Sequence, residues 1–170
     1  SIQTHTPQSA IAYFQKSLNY AAQNGLEISP EQIFGWQKGL GIAFWSQAKF
    51  TESIEAHLKS LEIAKVLDDK SSQIRAFYWV SACQFEKGET RASLESAIEG
   101  VRIAREAGDA EDVRLALAWI LYRQGRVTLA LGNFDEAITL GEEGLQIAEE
   151  YGEREHNEKG FCYHLLAATN

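Results

Sequence analysis

The chain has 170 residues, 45% of them hydrophobic and 24% charged, and 16 basic against 24 acidic side chains give a net charge of −8. Four tryptophans, six tyrosines and eight phenylalanines beside two prolines exclude a disordered tail. The acidic balance argues against nucleic acid as a partner, because phosphate binding needs concentrated positive charge. The longest apolar run, Leu115 to Tyr122, is eight residues, where a bilayer-spanning helix needs about 20.

Two cysteines in no regular spacing give neither a disulfide framework nor a CxxC metal signature, so a cytoplasmic setting is expected. No basic-then-apolar leader opens the chain, and methionine is absent throughout, which points to a segment of a larger protein.

The predicted elements are helices. Residues 8–25 place Ile11, Phe14, Leu18 and Ala21 along one side. Ser29-Pro30-Glu31-Gln32 then supplies a capping serine, a first-turn proline and a glutamine in capping-box spacing. The helix it opens runs over residues 30–47, and a second follows over 48–69 with Ile54, Leu58, Leu61 and Ala64 at helical spacing. The same pair recurs over 70–109 and again over 110–153, where Asn133 with Glu136 repeats the capping pattern. Residues 154–169 carry one further first-helix pattern, giving eight helices.

The second helices are internal copies. Ile54/Ile63, Leu94/Ile103 and Ile138/Ile147 each stand nine residues apart, and the copies step by 40 and then 44 residues. Ala48, Gly88 and Gly132 fall at the turns, while Gly41, Ser81 and Gly125 fall inside the first helices. Glycine inside a helix costs about 1 kcal/mol relative to alanine, so its recurrence predicts close helix-to-helix approach. Gly108 and Gly152 are expected to end second helices in the left-handed conformation, with Asp68 in the same slot of the first copy. The extra four residues in the last step predict a longer first helix there.

Leu40-Gly41, Phe44, Phe50 and Ser60 in the first copy resemble the tetratricopeptide repeat, in a long-helix variant with repeats of roughly 40 residues. So do Gly125, Gly132-Asn133-Phe134, Ala137 and Gly144 in the third, while the middle copy departs from the pattern at Ser81, Gln84 and Thr90. The resemblance implies an all-α fold, a right-handed α-solenoid of antiparallel helical hairpins extending over 1–170 as one array. In it, 8–25 is an orphan second helix, 30–69, 70–109 and 110–153 are complete repeats, and 154–169 is an orphan first helix.

The resemblance also implies a non-catalytic protein-interaction scaffold with a concave groove lined by first helices. Repeat register assigns to that groove Lys38, Ile42 and Trp45, then Arg75, Tyr78, Trp79 and Phe85, then Trp119, Tyr122, Arg123 and Arg126, then His164. The expected partner is a protein or peptide with acidic and aromatic or aliphatic groups. The alternative is that the aromatics pack between helices and the arginines are solvated or paired within the chain. Negative charge is expected on the other side, since residues 135–153 hold seven acidic and no basic side chains.

Two further readings stay open: a ligand- or peptide-sensing arm of a larger bacterial regulator, and self-assembly into a homo-oligomer through the open terminal helices. No catalytic residue, metal or cofactor is expected. Gly39-Leu40-Gly41 lies inside a helical pattern and follows no strand, and His156, Cys162 and His164 match no zinc spacing. The paired glutamates at 142–143 and 149–150 fall on a polar helix face.

Overall fold

A computed structural model describes residues 7–151 and 156–169, and among them are eight helices and no strand. They are α1 (Pro7–Gln23), α2 (Pro30–Trp45), α3 (Phe50–Val66), α4 (Lys70–Glu86), α5 (Thr90–Ala107), α6 (Glu111–Ala130), α7 (Phe134–Glu150) and α8 (His156–Thr169). The chain divides into two compact units, residues 1–69 and 70–170. In the first, α2 packs on both α1 and α3. In the second, α6 is central and packs on α4, α5, α7 and α8. The third first helix is the longest, with 20 residues against 16 in α2 and 17 in α4.

The hairpin turns share one backbone design. The amides of Lys49, Glu89 and Asn133 each donate to a carbonyl five residues back, on Phe44, Gln84 and Thr128. The residue before each has positive φ: 55° at Ala48, 79° at Gly88 and 85° at Gly132. This is the Schellman closure, which satisfies the last carbonyls of a helix and reverses the chain. Asp68 takes φ 53° at the end of α3, with the Asp69 amide on the Ala64 carbonyl. Gly108 differs from the expected left-handed turn, because its φ of 89° comes with a ψ of −160°, a region open in practice only to glycine. Gly152 lies outside the described residues.

Capping is similarly uneven. The Ser29 hydroxyl accepts from the Gln32 amide, and the Gln32 side chain accepts from the Ser29 amide, completing the predicted capping box. Asn133 makes no side-chain cap, contrary to expectation. Its backbone is already committed, with the amide closing the preceding helix and the carbonyl accepting from Ala137.

The two helices of each hairpin meet at a fixed separation of twelve residues. Ser53 donates to the Gly41 carbonyl at 2.8 Å and Ser93 to the Ser81 carbonyl at 2.8 Å. In the third hairpin, a Cβ added at Gly125 would come within 3.5 Å of the Ala137 carbonyl oxygen. Small residues are needed because the helices are so close: a Cβ at Gly41 would collide with the His57 ring, and one at Gly39 would lie 2.5 Å from the Phe14 ring.

This close approach also shifts the buried face of α3. Leu58, expected in the apolar stripe, is 43% exposed. Leu61 and Ala64 are buried as expected, and Ser53, Ala56, His57 and Ser60 are buried beside them, since small and hydrogen-bonded side chains fit a narrow seam. Helix α1 is the exception among second-type helices. Tyr13 and Tyr20 are 66% and 60% exposed. The positions equivalent by alignment of Ala21, Ala64, Ala104 and Ala148 are buried or half-buried in α3, α5 and α7.

Candidate functional site

The unit of residues 70–170 brings most of the predicted groove residues onto one face. Trp119, Tyr122, Arg123 and Arg126 stand at i, i+3, i+4 and i+7, which aligns them along one stripe of α6. On α4, Tyr78 meets Trp79 edge-on at 5.4 Å between ring centres and Trp119 at 5.1 Å. The Arg123 guanidinium lies 4.9 Å from the Tyr78 ring centre and 6.0 Å from that of Tyr122. Arg126 continues the series, 6.0 Å from both the Tyr122 and the Phe85 ring centres, and donates to the Tyr122 hydroxyl at 3.2 Å. Arg75 is exposed on α4 and His164 is exposed on α8. The result is a ladder of alternating rings and guanidinium groups.

Its members are unequally accessible. Tyr78 and Tyr122 are buried and belong to the main hydrophobic core, with Trp79 and Trp119 packed half-buried against it. Lys38 and Trp45 belong to the unit of residues 1–69. There Lys38 is exposed, and half-buried Trp45 packs edge-on against Phe50 at 5.2 Å.

Arg123 is only 6% exposed. Its Nη2 donates to the Tyr78 hydroxyl over a long 3.4 Å, and its buried Nε has no hydrogen-bond acceptor among the described residues. Neither it nor Arg126 has a carboxylate within ion-pair distance among those residues. Cation–π contact contributes about 0.5–2 kcal/mol, whereas taking a guanidinium out of water costs several kcal/mol. Three other arginines, two on α5 and one at the start of α6, contrast with this: Arg102 pairs with Glu99 and Glu106, Arg105 with Glu143, and Arg114 with Glu150. Two carboxylates of α7, Glu143 and Glu150, are therefore answered by arginines of the chain, and the cations of the α6 stripe have no such partner among the described residues.

Beside the ladder, a pocket of about 190 Å³ is lined by Phe85, Arg126, Leu129, Ala130, His164, Leu165 and Ala168. Sequence reasoning named Phe85, Arg126 and His164 but missed the other four. The signal for two of them was present, because Leu129 and Ala130 continue from Arg126 at i+3 and i+4. A second pocket, of about 600 Å³, lies in the other unit between α1 and α2, where Tyr13, Lys16, Tyr20, Leu26 and Trp36 contribute.

His57, also missed, is 1% exposed beneath Gly41. Burial, and secondarily the charge of Lys38, lower its pKa from 6.5 to about 4. Cys83 and Cys162 are both buried. Among the described residues no group of three or more His, Cys, Asp or Glu side chains could hold a metal ion. No helix among them is long and apolar enough to cross a membrane.

Helical hairpins in this register define the class of tetratricopeptide-repeat-like α-solenoid folds. Residues 116–170 match the tetratricopeptide repeat family. The apo form of RapI superposes with a TM-score of 0.79 at 13% identity, over 96% of this chain and 43% of RapI. A structure of a Podosopora anserina putative kinesin light chain with nearly identical TPR-like repeats superposes with a TM-score of 0.69 at 18% identity, over 98% of this chain and 79% of that one. The chain thus spans less than half of RapI. No curated protein matches it.

Proposed function

We propose that the chain is a non-catalytic, cytoplasmic module that binds a protein or peptide on the α4–α6–α8 face, through acidic groups received by Arg123 and Arg126. The tetratricopeptide match over residues 116–170 supports the interaction role. The observation that carries the reading is the buried Arg123, whose Nε has no acceptor among the described residues. A buried donor of this kind costs about 1–3 kcal/mol until an acceptor reaches it. A carboxylate from outside would answer the charge of this stripe through the more accessible Arg126, and the surrounding rings would supply contact area.

A random-peptide display library panned against the chain tests this. Enrichment in Asp and Glu beside aromatic or aliphatic residues is expected. Arg126→Glu should abolish binding of the enriched peptides, and Arg126→Lys should keep part of it. Peptides without acidic bias, or binding indifferent to Arg126→Glu, would overturn the proposal. The same peptides would serve as inputs if the chain is the sensing arm of a regulator.

A second reading, self-association, is favoured by the exposed Tyr13 and Tyr20, at positions whose equivalents in α3, α5 and α7 are buried or half-buried. Sedimentation across a hundredfold concentration range tests it, and a constant monomer mass would remove it.

A further inference from the structure

We propose that the pocket between α6 and α8 is a subsite for one aliphatic side chain of an acidic peptide, set directly beside a carboxylate held by Arg126. This deepens the reading above and rests on it. The pocket walls are apolar: Phe85, Leu129, Ala130, Leu165 and Ala168, with Arg126 also lining it and His164 on the α8 side. At about 190 Å³ it has room for a side chain and not for a folded element. Arg126 uses one Nη1 donor on the Tyr122 hydroxyl, and a guanidinium has five N–H donors. A carboxylate can therefore dock on Arg126 while the residue next to it enters the pocket.

Charge complementarity selects an acidic occupant. The chain as a whole carries −8 and would repel an acidic peptide at most places, but Arg123 and Arg126 have no carboxylate partner among the described residues. The order along α6 indicates which carboxylate is meant. Trp119 precedes Arg126 by seven residues, about 10 Å of helix, or about three residues of extended peptide. Leu129 and Ala130 follow on the other side. The arginines lie between two apolar contacts, so the carboxylate belongs to an internal Asp or Glu side chain and not to a chain end. The recognised pattern is an aromatic residue, a short spacer, then an acidic residue adjoining an aliphatic one.

The probe is the blocked peptide acetyl-Trp-Gly-Gly-Glu-Leu-amide, used beside its reversed sequence and observed by methyl NMR of the full chain. At least one of the two should shift the Leu129 and Leu165 methyl signals on binding. Replacing the peptide leucine by alanine should weaken binding by about tenfold to a hundredfold, the equivalent of burying one leucine side chain. Filling the pocket through Ala168→Phe should weaken it as much, with helicity unchanged by circular dichroism. Ala130→Leu gives the same test should that variant fail to fold. Equal affinity after both the leucine truncation and the pocket filling, with binding still lost on changing the peptide glutamate to glutamine, would overturn the subsite and leave the acidic-partner reading standing. Absence of any glutamate-dependent binding in either peptide direction would overturn both.

Discussion

The guanidinium carbon of Arg123 lies 4.9 Å from the centre of the Tyr78 ring, so a cation on α6 is seated in the core of the second unit against an aromatic face of α4. The contact offsets part of the desolvation cost but leaves the Nε donor of Arg123 without an acceptor among the described residues. The proposed binding role would account for a cation kept at this position. Arg123→Met is therefore expected to leave thermal stability unchanged or to raise it by about 1–3 kcal/mol, while weakening acidic peptides by at least about tenfold. Urea unfolding and peptide titration of the one variant check both halves. A loss of more than about 2 kcal/mol would make Arg123 a structural residue instead.

Gly41 and Gly35 lie on the same helix and should respond oppositely to alanine. Nothing lies within 4 Å of a Cβ added at Gly35, and one added at Gly41 would strike the His57 ring. Gly35→Ala is expected to stabilise by up to about 1 kcal/mol through helix propensity. Gly41→Ala is expected to destabilise by about 1–3 kcal/mol through overpacking. Chemical denaturation of the two variants measures the contrast, and equal responses would contradict the close approach.

His57 makes the first unit sensitive to acid. Its folded pKa of about 4 lies below the ordinary 6.5, chiefly through burial and then through Lys38. As pH falls the unfolded chain takes up the proton first. The stability this provides is complete above pH 6.5 and is lost as pH falls toward 4, at about 1.4 kcal/mol per unit. His57→Gln should flatten that slope while lowering stability near neutrality. Urea midpoints across this range follow the effect, and parallel slopes for both proteins would refute it.

Ala48 occupies with φ 55° the turn position that Gly88 and Gly132 fill with 79° and 85°. A residue with a Cβ carries about 1 kcal/mol of strain in the left-handed region. Ala48→Gly is expected to stabilise by about that amount, and Gly88→Ala to destabilise similarly. Paired thermal melts decide between this and a turn indifferent to side chain.

Part of the architecture was legible because its determinants are local. The spacing of Gly41, Ser81 and Gly125 announces the seams between helices, since small residues inside a helix need a close neighbour to justify them. Ser29-Pro30 announces the start of α2 through its own backbone chemistry. The cap at Asn133 was misread because its backbone was already engaged by the turn before it, which a motif of four residues does not reveal. Leu58 was misread because hydrophobicity ranks leucine above serine and histidine, while a narrow seam ranks side chains by size and hydrogen bonding.

The candidate site divides along the same line. Sequence register alone aligned Trp119, Tyr122, Arg123 and Arg126, because a helix returns to the same face at i+3, i+4 and i+7. It also established the helices and their number, for hydrophobic period and turn residues are properties of short segments. Only the tertiary structure decided that Tyr78 and Tyr122 are buried, that Arg123 rests on a ring with an unanswered donor, and that Leu165 and Ala168 of α8 close a pocket beside Arg126. Those facts depend on how far apart three helices stand, and that distance is set by side chains distant in sequence packing against one another.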